Sequence, residues 1–359
     1  MDPIALLEKL VRTPTGPDLS IFEKLKRTEF VRDLLKEIGF EVETRNGCHI
    51  ARKGKPPYIT LIGHLDTVFP EGEERKRPFR IENGKAYGPG VADMKGGIVV
   101  MIEALKRIDI HGIAVIMNVD EELGSHESEK VLKEFASMTK YCLSFEPAFP
   151  DGKLISSRKG VGALRIIVHG RKGHSARLNE GANAVVELAD KIVKLWKLNP
   201  KFEYLSLNPT IVRGGIKSNV TPDEAEVYFD VRYYDEKEIE LLERELSGIL
   251  NVEIVKGTGM EYSLDVFRKP MKRCDEMVSL VGDMGYSTGM SPGGGDSAFF
   301  EKALDGLGLP GGFFHSEKEY ALVSKLEDKM KLAVSLIEKL RRSWDTGGGS
   351  KFGEKVHEG

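Results

Sequence analysis

Apolar positions recur at helical spacing through the first 40 residues. Leu6, Leu7, Leu10 and Val11 share one face, and FEKLKRTEFVRDLLKEIGF predicts a second helical stretch closing at Gly39. Short strand-like runs follow: EVETR, HIARK and YITLIGHLD, the last a continuous apolar strand that ends in polar residues. The pattern then predicts a helix over 96–109, a strand over 112–119, a helix over 125–137 and a strand over 140–145. Apolar strands alternating with amphipathic helices predict an α/β layer built on a mainly parallel sheet.

The pattern changes near residue 160. A strand (VGALRIIVHG) precedes a helix over 180–198. A strand near 208–213, the strictly alternating AEVYFDVRYY, a helix over 236–248 and a strand NVEIVK follow. The order β-α-β-β-α-β fits a small ferredoxin-like sandwich. After residue 265 the α/β character returns, with a helix over 270–284, a glycine-rich loop at 288–295 and a long final helix near 319–343. The expected organisation is an α/β domain over 1–158 and 265–343, interrupted by an inserted β-α-β-β-α-β domain over 159–264. The glycine-rich, aperiodic tail over 344–359, with His357, is expected to be disordered.

Composition narrows the class. A length of 359 residues suggests two domains. Lys plus Arg total 53 against 56 Asp plus Glu, a net charge of -3, which argues against a nucleic-acid binder working by phosphate neutralisation. No apolar run approaches the roughly 20 residues of a membrane span, and the N-terminus shows no secretory signal. Cys48, Cys142 and Cys274 have no CxxC spacing and fit small buried hydrophobes in a reducing compartment, so a cytoplasmic location is expected. The chain contains no glutamine and is rich in Glu and Lys, a composition that favours a thermophilic source.

Functional groups in open α/β sheets gather beyond the carboxyl ends of the strands. YITLIG runs into His64-Leu-Asp66, GIAVIMNV into Asp120-Glu121-Glu122, and KYCLSF into Glu146-Pro147. A fourth segment, GPGVADMKGG, puts Asp93 in a glycine-rich turn before a helix. Singly, each has an ordinary explanation. A histidine at a strand end can be satisfied locally, acids are favoured at helix N-termini, and SFEP alone is a turn. Together they place several acids and a histidine along one sheet edge, where unpaired negative charge would repel itself and cations are the usual remedy. Imidazole and carboxylate without thiolate suit zinc, cobalt or manganese. One shared carboxylate would hold two cations about 3.5–4 Å apart, the spacing of co-catalytic hydrolases.

GHLDTVF, GPGVADMKGG, the DEE triplet, SFEP and the late histidine of GLPGGFFHSEKEY resemble the zinc aminopeptidase/carboxypeptidase family. That family includes glutamate carboxypeptidase, aminoacylase, acetylornithine deacetylase and succinyl-diaminopimelate desuccinylase. The resemblance covers residues 1–343, with the motifs in order on both sides of the insertion. It implies two divalent metal ions: His64 on one, Glu122 and His315 on the other, Asp93 bridging, and Glu146 completing the His64 site. Asp66 would orient His64. Glu121 would act as general base, taking a proton from the water held between the metals and later delivering it to the leaving amine. In the insertion, His174 matches a histidine that can stabilise the oxyanion, and in dimeric relatives it reaches the partner's site. Asn219 and Arg232 match substrate contacts, with Arg232 able to grip a carboxylate bidentately. Gly294 and Gly295 match a glycine-rich segment near the substrate. A homodimer formed through the inserted domain is implied in the same way.

Two other chemistries fail on inspection. Gly289-Met-Ser291-Pro-Gly293 matches GxSxG, but the oxyanion hole needs the N–H of the residue after serine, and Pro292 has none. The segment near 160–162 lacks the third glycine of a dinucleotide fingerprint, and no GxxxxGK[ST] occurs. The reading that remains is a metal-dependent hydrolase cleaving an amide bond next to a free carboxylate. GPGVADMKGG leans it toward a glutamate-carboxypeptidase-like carboxypeptidase or dipeptidase. The alternative is an N-acyl-amino-acid deacylase of the acetylornithine deacetylase, desuccinylase or carrier-linked lysine hydrolase type. A non-catalytic metal-binding scaffold is the remote alternative, and it would have no use for Glu121 beside a ligand carboxylate. A small peptide or N-acyl amino acid is the expected substrate, with no nucleic-acid or membrane partner.

Overall fold

The computed structural model describes residues 2–347, so 348–359 of the tail expected over 344–359, with His357, lie outside the described residues. Two compact units arise. The first gathers the described parts of Met1–Ser156, Arg273–Gly289 and Phe299–Gly359; the second comprises Ser157–Lys272 and Met290–Ala298. Among the described residues no helix is long and apolar enough to cross a membrane.

In the first unit a six-stranded sheet runs in the order Glu41–Arg45, Cys48–Lys53, Ile113–Asn118, Tyr58–His64, Thr139–Ser144, Ala303–Leu304. The last four pair in parallel, and the first two join antiparallel at one edge. Ile113–Asn118 is buried along its whole length and Tyr58–His64 along nearly all of it, which is why both read as unbroken apolar runs rather than alternating ones. Helix Gly96–Leu105 is buried at every residue. Its glycines permit this: a Cβ on Gly97 would lie 1.8 Å from the Phe145 carbonyl oxygen, so only glycine lets the helix start so near that strand end. The core reaches the edge where the motifs lie, since Leu65, Met94 and Phe145 are buried members next in sequence to His64, Asp93 and Glu146.

The second unit is an antiparallel sheet in the order Ser206–Gly214, Glu224–Tyr233, Gly160–His169, Gly259–Arg268. Leu164, Ile166, Val168, Val227, Phe229 and Val231 from the sheet share a core with Leu188, Leu195, Leu242 and Leu246 from helices Ala184–Trp196 and Glu236–Leu250. Strands and helices follow the β-α-β-β-α-β order of a ferredoxin-like sandwich.

Three expectations need correction. NVEIVK is not a strand, because its backbone is held by side chains instead of a ladder. The Ile254 and Val255 N–H groups donate to the buried Glu187 carboxylate, and the Val252 carbonyl accepts from Lys191. The fourth strand of the sandwich is Gly259–Arg268, paired with Gly160–His169. The second N-terminal helix is two helices, Ile21–Arg27 and Glu29–Glu37, divided at Thr28, whose hydroxyl donates to the Lys24 carbonyl and meets His49. The final helix, expected near 319–343, runs over Leu326–Gly347: Tyr320–Leu322 is a strand, and 344–347 of the expected tail continue the helix, with Trp344 packed on the core cluster and Lys140 over its ring.

Candidate metal centre

Three adjacent parallel strands deliver ligands to one edge of the first unit's sheet. His64 is the last residue of Tyr58–His64, Glu121 and Glu122 open the turn Glu121–Leu123 after Ile113–Asn118, and Glu146 follows Thr139–Ser144 by two residues. Asp93 sits in the loop before helix Gly96–Leu105, where the helix dipole favours a carboxylate. His315 comes from the turn after Gly311–Gly312, at a φ of 60° that non-glycine residues adopt only when their surroundings impose it.

The side chains converge. His64 Nε2 lies 3.2 Å from Asp93 Oδ1 and 3.5 Å from Glu146 Oε1. His315 Nε2 lies 3.3 Å from Asp93 Oδ2 and 3.2 Å from Glu122 Oε1. Asp93 therefore faces one imidazole with each oxygen. A tetrahedral ion with ligands at about 2.0–2.1 Å has donor–donor edges of about 3.3–3.4 Å, so these separations fit coordination polyhedra sharing Asp93. Ligand atoms of His64, Asp93 and Glu122 all lie within 4.8 Å of one another. Nitrogen and oxygen donors without thiolate suit zinc, cobalt or manganese.

The local field also favours cations. Burial opposes charge on His64, yet Glu146, Asp66 and Asp93 outweigh it and hold the imidazole protonated well above the usual histidine range. Hydrogen bonds to Asp93 and Glu122 push His315 up to about 10. Burial disfavours the Asp93 carboxylate, but His315 and His64 keep it ionised far below the ordinary range. Positive charge is thus stabilised beside both oxygens of one aspartate.

Two buried carboxylates support this edge. His64 Nδ1 donates to the Asp66 backbone carbonyl at 3.0 Å, leaving Nε2 for the cluster, with the Asp66 carboxylate 3.4 Å from Nδ1. That carboxylate also accepts the Glu121 and Glu122 N–H groups at 3.3 and 3.1 Å, so Asp66 fixes the loop of the acids as well as the imidazole. Sequence reasoning missed the second, Glu319. It is 1% exposed and accepts N–H groups from Gly90, Ala92 and Asp93. Burial pushes it up to about 7 against those three donors. Glu319 lies inside the GLPGGFFHSEKEY segment, four residues after His315, but the resemblance gives a role there to the histidine alone.

The remaining candidates belong to the second unit. His174 is exposed and bridges to Val220, and the Ser175 N–H donates to the Asn219 carbonyl, so the His174 and Asn219 segments are neighbours. Arg232 makes three hydrogen bonds of 2.9–3.1 Å to Asp230. Residues two apart on a strand share a face, so Asp-Val-Arg announced that pair. A Cβ on Gly294 would meet Val161 at 2.7 Å, and the Gly294 carbonyl accepts from the buried Arg158 at 3.0 Å. Asp296 pairs with Arg268 at 3.2 Å and opens the turn Asp296–Phe299. Of the other histidines, His49 is fully buried between the Thr28 and Thr44 hydroxyls, with burial lowering it to about 4, and is structural.

Comparison with known proteins agrees with this architecture. The model of peptidase family M20/M25/M40 matches residues 60–339. Carboxypeptidase G2 of Pseudomonas sp. (strain RS-16) is 32% identical, covering 93% of this chain and 88% of its own. Succinyl-diaminopimelate desuccinylase of Wolinella succinogenes is 30% identical, covering 82% and 86%. The crystal structure of aminopeptidase PepT from Bacillus cereus superposes with a TM-score of 0.80 at 18% identity, covering 94% of this chain and 98% of its own, which shows the shared fold. The chain belongs to peptidase family M20/M25/M40 and is a metal-dependent hydrolase.

Proposed function

We propose that the chain is a carboxypeptidase or dipeptidase that hydrolyses an amide bond next to a free carboxylate with two divalent cations, zinc foremost. His64, Asp93 and Glu146 hold one cation; Asp93, Glu122 and His315 hold the other. The observation that carries this reading is Asp93, whose two oxygens face two different imidazoles at 3.2 and 3.3 Å. Bound cations supply Lewis acidity and lower the pKa of water. Glu121 takes the proton from the attacking water at its carboxylate and returns it to the leaving nitrogen. Asp66, through the Glu121 and Glu122 N–H groups, keeps base and ligand in register. By the family resemblance, His174 would stabilise the oxyanion, Asn219 and Arg232 would contact the substrate, with Arg232 able to grip a carboxylate in place of Asp230, and Gly294 would belong to the segment near the substrate.

The choice of peptide over acyl substrates rests on GPGVADMKGG and on the likeness to carboxypeptidase G2. The desuccinylase likeness favours N-succinyl or N-acetyl amino acids as a second reading. To decide, protein stripped with chelator is restored with zinc, cobalt or manganese and assayed on dipeptides and N-acyl amino acids side by side. The expected result is metal-restored cleavage with dipeptides ahead. Faster cleavage of N-acyl amino acids would replace this reading with deacylation. Two bound metals without turnover on either panel would speak for a scaffold.

The inserted unit, expected over 159–264, is proposed to mediate a homodimer. Its edge strand Ser206–Gly214 exposes Ile211 and Val212, and helix Ala184–Trp196 exposes Val186, Val193 and Trp196, the last 53% accessible. Pro209 and the bulge between it and Ile211 interrupt the edge, and the Ile211–Val212 stretch beyond them stays open to pairing. Sedimentation of the purified protein at micromolar concentration is expected to give twice the chain mass, and Val212→Lys with Trp196→Glu to give the monomer. A monomeric wild type would end this part of the reading.

A further inference from the structure

The loop Gly88–Asp93 is folded round a carboxylate. Gly88 and Gly90 adopt φ of 141° and 69°, conformations open to glycine, and the N–H groups of Gly90, Ala92 and Asp93 turn inward while that of Val91 bonds to the Gly88 carbonyl. Such converging N–H groups form an anion-binding nest. The anion comes from the protein itself. Glu319 Oε2 accepts from Gly90 at 3.1 Å, and Oε1 accepts from Ala92 at 2.9 Å and from Asp93 at 3.1 Å. Both oxygens are used, and the side chain is buried. One of the three donors is the amide of Asp93, the residue whose side chain faces both imidazoles.

The flanking strands make this a closed unit. Lys85–Tyr87 leads directly into the loop, and Tyr320–Leu322 begins directly after Glu319. The two strands pair antiparallel, with Tyr320 opposite Tyr87. The segment from His315 to Glu319 and the segment from Gly88 to Asp93 are therefore stitched together at two places, the ladder and the Glu319 carboxylate. Each carries one ligand: His315 on one, Asp93 on the other.

We infer that Glu319 is a positioning residue for the metal centre, a carboxylate that never touches a cation but locks the loop of the bridging Asp93 to the turn of His315. It does for that pair what Asp66 does for Glu121 and Glu122. The inference rests on the two-cation reading above. Partners that orient metal ligands change affinity or activity by about 10–100-fold when removed, and this is the effect expected at Glu319. Glutamine at 319 keeps the shape but cannot accept with both atoms. Whichever way its amide turns, an NH2 group faces at least one backbone N–H of the nest, a donor set against a donor.

The test is zinc titration of chelator-stripped protein against a chromophoric competitor, for wild type, Glu319→Gln and Glu319→Ala, with thermal melts of each stripped protein. Wild type is expected to bind two zinc ions. The variants are expected to bind at least one of them about 10–100-fold more weakly, with Ala worse than Gln. The zinc concentration for half-maximal hydrolysis is expected to rise in parallel. Variants that bind both ions as tightly as wild type would overturn the inference while leaving the two-cation reading intact. A wild type that takes up no zinc would overturn that reading, and the inference with it. Should Glu319→Ala fail to fold, the isosteric Glu319→Gln carries the comparison alone.

Discussion

Glu121→Gln is expected to lower kcat by about a hundred- to ten-thousandfold while both cations stay bound. A positioned general base contributes that range, and glutamine keeps the shape of the side chain and the Glu121 N–H bond to Asp66. The loss should fall on kcat with KM little changed, because the proton is in motion in the transition state rather than in substrate binding. Metal analysis of the same preparation separates the roles. Full metal content with turnover gone fits a base. Loss of metal would make Glu121 a ligand, and retained turnover would leave it with neither role.

Asp93→Asn is expected to have the second large effect, through metal content. The substitution exchanges one oxygen for an NH2 group that cannot ligate, and it removes the charge that stabilises both imidazoles. Elemental analysis should show fewer than two ions per chain. Lewis-acid stabilisation is worth several kcal/mol, and at about 1.4 kcal/mol per tenfold its loss lowers kcat/KM by at least roughly a thousandfold. Wild-type metal content in the variant would deny Asp93 its bridging place. The contrast between the two variants separates ligand from base: Asp93 acts on occupancy, Glu121 on the chemistry at full occupancy.

Much of the centre was legible in the sequence because strand ends make it. His64 ends one buried strand and Glu122 and Glu146 follow two others, and the apolar runs of these strands fix direction and edge, so polar residues at their ends had to gather. Asp93 was readable from its glycine-rich turn, and His315 through the family resemblance alone, for no strand end points to it. What escaped depends on tertiary contact. Glu319 looks like any glutamate in EKEY until the Gly88–Asp93 loop closes on it. Glu187 reads as a surface position on an amphipathic helix, yet it is buried and holds the backbone of the segment that mimicked a strand. Alternation over 251–256 and over 259–268 is equally suggestive, and only the ladder with Gly160–His169 decides between them. Thr28 divides a helix that periodicity alone would leave whole, since its hydroxyl has a buried histidine to meet.

The most direct test of the two-cation centre is anomalous diffraction at the zinc edge from crystals of the reconstituted protein. Two peaks about 3.5–4 Å apart are expected, one against His64 and Glu146, the other against Glu122 and His315, with Asp93 between them. A single peak, or none among these residues, would contradict it.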